Sequence, residues 1–104
     1  MTNPTDSATA FKVFTASQWA QFQAAGTFAG APVDIADGFI HLSTASQLQQ
    51  TLDKHFAGQR DLVVAEIDLV LLGTAVRWEM ARGGALFPHV YGPLPIAAVI
   101  SAKA

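Results

Sequence analysis

The stretch Asp61-Leu62-Val63-Val64-Ala65-Glu66-Ile67-Asp68 is an apolar run, interrupted by one glutamate, between two acids. A run of this length and composition is typical of a mostly buried strand. After a turn or single helical turn at Leu69 to Gly73, three more strands are predicted, at Thr74 to Glu79, Leu86 to Tyr91 and Ile96 to Ser101. Pro88 lacks a backbone N–H, so it predicts that its strand lies at a sheet edge or carries a bulge. The second half of the chain therefore predicts a sheet.

The first half of the chain alternates strands with helices. Apolar residues at helical spacing predict a helix over Ala16 to Ala25, followed by Gly26 at a position typical of a glycine cap, and a second helix that opens at Ser43 and is closed by Gly58. The other segments predict strands at Phe11 to Thr15 and Gly38 to Leu42, and a loop from Thr27 to Asp37. The resulting order, β-α-β-α-β-β-β-β, indicates a single compact α+β domain rather than a doubly wound sheet.

Composition narrows the class of protein. The chain has 104 residues and no cysteine, which fits one domain over residues 10–104 after a flexible tail at residues 1–9. The lack of cysteine excludes disulfides, cysteine zinc sites and thiol nucleophiles. Hydrophobic residues make up 51% and charged residues 13%, which excludes an extended disordered chain. So small a charged share suggests a buried face, such as that of a homodimer.

Charge and hydropathy also bear on partners and location. The net charge is −2 and there is no basic block, which argues against nucleic acid as a partner, because phosphate neutralisation needs clustered lysine and arginine. No apolar run approaches the roughly 18 residues of a membrane span. The N-terminal residues lack the basic start and the apolar core of a secretory signal. We therefore expect a cytoplasmic protein with no membrane partner.

The segment Gly38-Phe39-Ile40-His41-Leu42-Ser43-Thr44 carries the first candidate site. Strand alternation puts Phe39 and His41 on one face, and Ser43 and Thr44 open the following helix. The free N–H groups of a helix N-terminus can hold a phosphate or a ribose oxygen, and a histidine beside them can bind a sugar hydroxyl or act as a general acid or base. The alternative is a core histidine followed by two ordinary helix caps.

The second candidate site lies in the segments Arg77-Trp78-Glu79 and Phe87 to Leu94. Alternation puts Arg77 and Glu79 on one strand face, and it puts His89 and Tyr91 together on the next strand unless Pro88 shifts the register. A cation, a carboxylate, an imidazole and a phenol on one strip suit a pocket for a polar, ring-bearing ligand. The alternatives are a surface ion pair and a half-buried edge tyrosine.

No metal site is predicted. His41, His55 and His89 are far apart in sequence, and none of the usual metal-binding histidine spacings occurs. His55 lies in the last turn of the second predicted helix, where a histidine interacts favourably with the helix dipole. The glycines form neither a P-loop nor a dinucleotide-binding fingerprint.

The motifs together resemble a known family. Four segments are similar, in this order, to the bacterial family called domain of unknown function 952: Gly38 to Thr44, Phe56 to Val63, Arg77 to Glu79 and Phe87 to Leu94. The similarity runs from about Phe11 to Ile100. More distantly, His41-Leu42-Ser43, the helix after it and the strand from Asp61 resemble the RNA 2′-phosphotransferases. Phe39 stands where those enzymes have a first histidine, and the few arginines argue against RNA 2′-phosphotransfer itself.

The distant resemblance implies the ADP-ribosyltransferase-like fold, a split and curved sheet that holds NAD in a cleft. Enzymes of this fold use a histidine on the ribose, an aromatic ring on the nicotinamide and a glutamate that stabilises the ribosyl cation. The resemblance implies His41 and Glu79 as catalytic candidates, and the second candidate site adds His89 to them. The candidates implied for binding NAD are Phe39, Ser43, Thr44, Arg77 and Tyr91.

Three hypotheses follow. The first is an NAD-using enzyme that passes ADP-ribose to a small acceptor or to water, with NAD as substrate and no metal. The second is a non-catalytic module that binds a nucleotide or another small metabolite. The third is a structural homo-oligomeric protein whose low charge reflects a buried interface.

Overall fold

A computed structural model describes residues 8–104, apart from the side chain of Arg82. Strands and helices alternate as far as β4, and strands follow one another in the last third of the chain. The strands are β1 (Thr9–Thr15), β2 (Thr27–Phe28), β3 (Ile40–His41), β4 (Leu62–Asp68), β5 (Val76–Met80), β6 (Leu86–Val90), β7 (Leu94–Pro95) and β8 (Val99–Lys103). The helices are α1 (Ala16–Ala25), α2 (Pro32–Asp37), α3 (Leu48–His55) and α4 (Leu69–Leu72).

Two three-stranded antiparallel sheets form the body of the fold, in the orders β1-β4-β8 and β3-β6-β5. A bridge between Phe11 and Ser43 joins them, because each backbone N–H donates to the carbonyl of the other residue, at 2.7 and 2.9 Å. The short strands β2 and β7 form a separate antiparallel pair. The α+β class and the single domain are confirmed, and the Cα radius of gyration of 12.8 Å is near the roughly 13 Å typical of one 100-residue domain.

Helix α1 has the bounds that its sequence predicts. The hydroxyl of Thr15 accepts a hydrogen bond from the N–H of Gln18 at 3.1 Å, and the Gln18 side chain accepts one from the N–H of Thr15 at 3.0 Å. This reciprocal capping box satisfies two of the N–H groups that a helix start leaves unpaired. At the other end Gly26 adopts φ +77°, the left-handed conformation that a glycine permits without strain.

The hydrophobic core covers one face of β3 and leaves the side chains of the other face outside it. Rings of Phe14, Phe22 and Phe28 pack against each other with centroids 4.9 to 5.7 Å apart. Ile40 and Leu42 are each 2% exposed and join this core. Because side chains alternate along a strand, the burial of these two residues turns Phe39 and His41 to the opposite face.

The segment predicted as a loop, Thr27 to Asp37, instead contains β2 and α2. Pro32 occupies the first turn of α2, and the carboxylate of Asp34 accepts a hydrogen bond from the N–H of Ala31 at 2.7 Å. A six-residue helix is too short to show a helical repeat of apolar residues, so glycine and proline dominated the sequence pattern.

The prediction that Pro88 marks a sheet edge or a bulge is wrong, since β6 is a central strand with continuous register against β5. The Pro88 carbonyl accepts a hydrogen bond from the N–H of Leu42 at 3.1 Å. Both backbone groups of one residue in an antiparallel strand face the same neighbour, so the missing N–H lies on the β3 side. Because Pro88 has no N–H, one backbone hydrogen bond to the residue that follows β3 is absent. All pairing between β6 and β5 is kept.

Other boundaries move by a few residues. β5 starts at Val76 and β8 at Val99 because 3-10 turns at Gly73–Ala75 and Ile96–Ala98 precede them. α3 starts at Leu48 rather than at Ser43, because residues 45–47 form a turn. Of the predicted tail, residues 1–7 lie outside the described residues, and Thr9 already pairs with Asp68 in β1.

Candidate functional site

His41 and His89 are partners across the antiparallel pair β3–β6. Their ring centroids are 5.4 Å apart, with the rings tilted by 66°. Both side chains line a cavity of about 590 Å³, a size within the range of small-molecule sites. These two histidines are 48 positions apart in the sequence. The pairing of β3 with β6 brings them together at one site.

The walls of the cavity are mostly apolar. They come from β1, from the first turn of α1, from the start of α2, from the end of α3 and from β6. The side chains on these walls include Phe11, Val13, Gln18, Pro32, Val33, Ser43, Thr51, His55, Phe56, Ala81 and Phe87. Three phenylalanines beside three histidines form an arrangement that suits a ring-bearing ligand with a polar group.

Two carboxylates flank the ring of His41. Nδ1 lies 2.7 Å from Oδ1 of Asp34, and Nε2 lies 3.0 Å from Oδ2 of Asp37. The backbone N–H of His41 also donates to Oδ1 of Asp34 at 3.1 Å. These contacts fix both the position and the rotation of the imidazole.

Asp34 is the buried centre of this cluster, with 1% of its surface exposed. Its carboxylate accepts hydrogen bonds from Nζ of Lys12 at 2.9 and 3.2 Å, in addition to those from Ala31 and His41. Burial opposes ionisation, but the hydrogen bond from His41, the charge of Lys12 and the N–H of Ala31 together lower the pKa of Asp34 to about 2. Asp34 is therefore an anion at neutral pH.

Lys12 is the buried cation that balances Asp34. It is 7% exposed, and Nζ also donates to the carbonyl of His41 at 3.1 Å. Burial lowers the pKa of Lys12, whereas the charge and hydrogen bond of Asp34 raise it. Losing one partner of such a buried pair leaves an uncompensated charge, which costs about 3–5 kcal/mol.

The ionisation of Asp34 determines which ring nitrogen of His41 donates to it. A carboxylate has no hydrogen to donate, so Nδ1 of His41 must be the donor in the contact with Asp34. A neutral imidazole carries one N–H, and its Nε2 then offers a lone pair. The contact of Nε2 with a second carboxylate, Asp37, is a hydrogen bond only when a proton lies between them.

His89 has one carboxylate partner instead of two. Its Nδ1 lies 2.7 Å from Oε1 of Glu79, and the Tyr91 hydroxyl donates to the same oxygen at 2.8 Å. The hydrogen bonds from His89 and then Tyr91 lower the pKa of Glu79, and the hydrogen bond to Glu79 raises the pKa of Tyr91. Nδ1 of His89 is therefore the donor. In the neutral ring Nε2 is left as the acceptor for a molecule in the cavity.

Aromatic packing holds His89 in place. Phe39 stacks on its ring with centroids 4.0 Å apart and an interplanar angle of 26°, and His89 is 4% exposed. On the outer side, the guanidinium of Arg77 lies 4.9 Å from the centre of the Tyr91 ring. Phe39 and Glu79 thus contact His89 directly, whereas Tyr91 contacts Glu79 and Arg77 contacts Tyr91.

The structure divides the predicted site residues into three groups. His41, His89 and Ser43 line the cavity, and Ser43 also shares a 2.7 Å hydrogen bond with the hydroxyl of Thr51. Four others, Phe39, Arg77, Glu79 and Tyr91, surround His89 without lining the cavity. Thr44 is buried and caps no helix, since its hydroxyl contacts that of Ser46 at 3.1 Å and its N–H donates to the Gln47 side chain at 3.0 Å.

Sequence reasoning missed Lys12, Asp34 and Asp37. One signal was available for Lys12, which falls between Ala10 and Phe14 on the inward face of β1 and so requires a buried carboxylate partner. Asp34 and Asp37 lay in the segment taken for a loop. His55, assigned only a helix-end role, also lines the cavity. Within residues 8–104, no group of three histidine or acidic side chains is placed to hold a metal ion.

Comparison with known proteins identifies the family. The family model described as "Protein of unknown function (DUF952)" matches residues 13–102, which is most of the chain. The chain belongs to the DUF952 family. A search of the curated proteins found no match for this DUF952 chain.

Solved structures of one DUF952-like protein, CC0527 of Caulobacter crescentus, have the same fold. Its crystal structure is 42% identical, with a TM-score of 0.89 over 91% of this chain and 83% of that one. Its solution NMR structure is 41% identical, with a TM-score of 0.82 over 93% and 84% of the two chains. A crystal structure of a double mutant of CC0527 gives a TM-score of 0.88 at 40% identity, with coverage of 91% and 83%.

The helices of residues 8–104 are short. Among them, none has the length and apolar character needed to span a bilayer.

Proposed function

We propose that the cavity binds a nucleotide of the NAD type and that the protein transfers its ADP-ribose to a small acceptor or to water. The observation that carries the proposal is the cross-strand pair of His41 and His89, each oriented by its own carboxylate beside one cavity of about 590 Å³. The distant sequence resemblance to ADP-ribosyltransferase-like enzymes makes NAD the first ligand to test. Three phenylalanines on the walls offer faces on which an aromatic ring can stack.

His89 is the general base in this proposal. Glu79 holds its Nδ1–H, so Nε2 of the neutral ring takes the proton of the acceptor hydroxyl. The acceptor oxygen forms a bond to C1′ of the nicotinamide ribose while the bond from C1′ to the nicotinamide nitrogen breaks. The electron pair of that bond neutralises the positively charged ring, and neutral nicotinamide leaves.

His41 holds a ribose hydroxyl in the proposed complex. Its Nδ1 is hydrogen-bonded to the buried Asp34, so a ligand would contact Nε2, which lies beside Asp37. The fixed ring loses little conformational freedom on binding, which favours a defined ligand position.

Glu79 acts through His89 rather than on the ribosyl cation. Its carboxylate does not line the cavity, and its two hydrogen bonds run to His89 and Tyr91. Phe11, Phe56 and Phe87 line the cavity, so they take the stacking role that the sequence suggested for Tyr91 or Phe39.

An NMR titration with NAD, combined with an assay for released nicotinamide, tests the proposal. We expect saturable shifts at His41, His89 and the amides around Ser43, together with release of nicotinamide. His89→Gln should abolish turnover and spare binding, because it removes the base and keeps a polar side chain. Absence of shifts at millimolar NAD would overturn the proposal.

A non-catalytic binding module is the second candidate. It is favoured by the contacts of His41, whose two ring nitrogens both face carboxylates, since a ring held in this way suits binding more than proton transfer. This candidate expects ligand affinity that survives His89→Gln, with no product at any protein concentration.

Association into a homodimer is a separate proposal. Large apolar side chains are exposed on α2 and α4, with Ile35 at 66% and Val70 at 74%. Light scattering at increasing protein concentration tests it, and a constant monomer mass would exclude it.

A further inference from the structure

The pair formed by His41 and Asp37 lies on the wall of the cavity. Asp37 is the last residue of α2, and its Oδ2 lies 3.0 Å from Nε2 of His41. The Asp37 side chain is 48% exposed and that of His41 is 34% exposed, so both can be reached by a molecule in the cavity that they line. Asp34, in contrast, is 1% exposed, and its carboxylate is hydrogen-bonded to Lys12, Ala31 and His41.

This pair presents one donor and one acceptor side by side. Nδ1 of His41 is held by Asp34, so the proton between Nε2 and Oδ2 of Asp37 is the single donor that the pair offers to a ligand. The carboxylate of Asp37 accepts hydrogen bonds and cannot donate when it is ionised. A hydroxyl group both donates and accepts, so one sugar hydroxyl, or two vicinal ones, can satisfy both groups at once.

The described residues of the cavity wall beside His41 offer no unpaired lysine or arginine to an anion. Among the cavity-lining side chains that the structure describes, Lys12 is the single lysine or arginine, and Asp34 already neutralises it at 2.9 Å. A phosphate or carboxylate placed against His41 would therefore compete with the carboxylate of Asp37 for the same ring nitrogen, with no unpaired lysine or arginine on the described walls to hold it.

We propose that Asp37 is a specificity residue that, together with His41, selects a neutral hydroxyl group of the ligand and excludes an anionic group from this position. Naming that hydroxyl as one of the nicotinamide ribose rests on the proposed function. The pyrophosphate of NAD then lies elsewhere in the cavity, away from this pair. The selection itself depends only on the donor, the acceptor and the charge of His41 and Asp37.

Two variants and two probes test this assignment in the full chain. Affinity for NAD is measured for wild type and Asp37→Ala, and binding of inorganic phosphate at His41 is followed by ¹⁵N NMR of the ring for wild type and Asp37→Asn. Asp53→Asn is the matched control, since Asp53 is an exposed acid of α3 that contacts Gln49 and does not line the cavity. Amide spectra of all variants verify that they are folded.

We expect Asp37→Ala to weaken NAD binding about tenfold, the effect of losing a hydrogen bond to a charged group. We expect Asp37→Asn to gain saturable phosphate binding at His41 that wild type and Asp53→Asn lack. NAD affinity that is unchanged or higher in Asp37→Ala would overturn the assignment.

The phosphate measurement keeps this inference separate from the proposed function. If wild type does not bind NAD, the proposed function fails, and the phosphate comparison still decides the role of Asp37. Equal phosphate binding by wild type and Asp37→Asn would then overturn the selection of neutral over anionic groups.

Discussion

His89 and Glu79 are joined diagonally across β5 and β6, with Nδ1 and Oε1 2.7 Å apart. They are not register partners, because His89 lies opposite Arg77 and Glu79 lies opposite Phe87. Diagonal neighbours on one sheet face are within reach of long side chains. His89 lines the cavity and Glu79 does not. Glu79 can therefore set the tautomer of His89 without contacting a molecule in the cavity.

The first prediction concerns Tyr91, the single tyrosine of the chain. Its pKa is raised above 10.0 because its hydroxyl donates to the Glu79 carboxylate, whose negative charge adds to the effect. Glu79→Gln should lower the pKa of Tyr91, since it removes that charge. Ultraviolet titration of the tyrosinate band measures the change without interference from another tyrosine.

Glu66→Gln is the matched control, because Glu66 is the other glutamate of the chain and lies in β4. It should leave the titration of Tyr91 unchanged. An equal shift in both variants would show that the Glu79–Tyr91 contact does not exist in solution.

The second prediction concerns the buried pair of Lys12 and Asp34. Asp34→Ala should lower the free energy of unfolding by about 3–5 kcal/mol, because it leaves the ammonium of Lys12 buried without its counter-ion. Urea denaturation measures this loss. Replacing the pair by Lys12→Met with Asp34→Leu should cost less than Asp34→Ala alone, since no charge is then left unpaired. A double variant as unstable as the single one would contradict the charge argument.

The third prediction is an acid dependence of stability. The folded-state pKa of Asp34, about 2, is depressed below the 3.8 of an unperturbed aspartate, so the unfolded state binds its proton first as pH falls. The contribution to stability is complete above about pH 4 and is lost as pH falls through the folded pKa, with a magnitude of about 2 kcal/mol.

Urea denaturation at about pH 5 and about pH 2.5 measures that loss, and Asp34→Asn provides the comparison. The variant has no titrating group at this position, so its stability should fall less between the two pH values. A fall as large in Asp34→Asn as in wild type would assign the acid dependence to other carboxylates.

The fourth prediction concerns Gly30, which precedes α2 with φ +129°. A Cβ at this position would lie 2.9 Å from Cβ of Asp34, closer than such atoms pack. Gly30→Ala should therefore lower the free energy of unfolding by about 1–3 kcal/mol and disturb the hydrogen bonds of Asp34 to His41. Gly58→Ala is the control, since Gly58 has φ +77° and open space around it. It should cost only about 1 kcal/mol, and a Gly30 variant no less stable than this control would contradict the close approach.

The face of the sheet that carries the histidines could be predicted because alternation is a local property of the chain. Ile40 and Leu42 are apolar and go inward, so His41 had to point the other way. The bounds of α1 were predictable for the same reason, since Thr15, Gln18 and Gly26 act within one helix.

Contacts between residues that are far apart in the sequence could not be predicted. Alternation assigned Glu79 to a face but could not predict its diagonal contact with His89, because that contact depends on the register between β5 and β6. Lys12 and Asp34 are 22 residues apart, and α2, which brings Asp34 into place, is too short to show a periodic pattern.

The bridge between Phe11 and Ser43 closes one wall of the cavity, between the two sheets. Both residues line it, and their two backbone hydrogen bonds hold the sheets together at that wall. Parting the sheets would break main-chain bonds as well as core contacts, which is slow compared with the motion of surface side chains. We therefore expect any molecule that binds in the cavity to enter past the side chains of α2 and α3 that line it, while the two sheets stay joined.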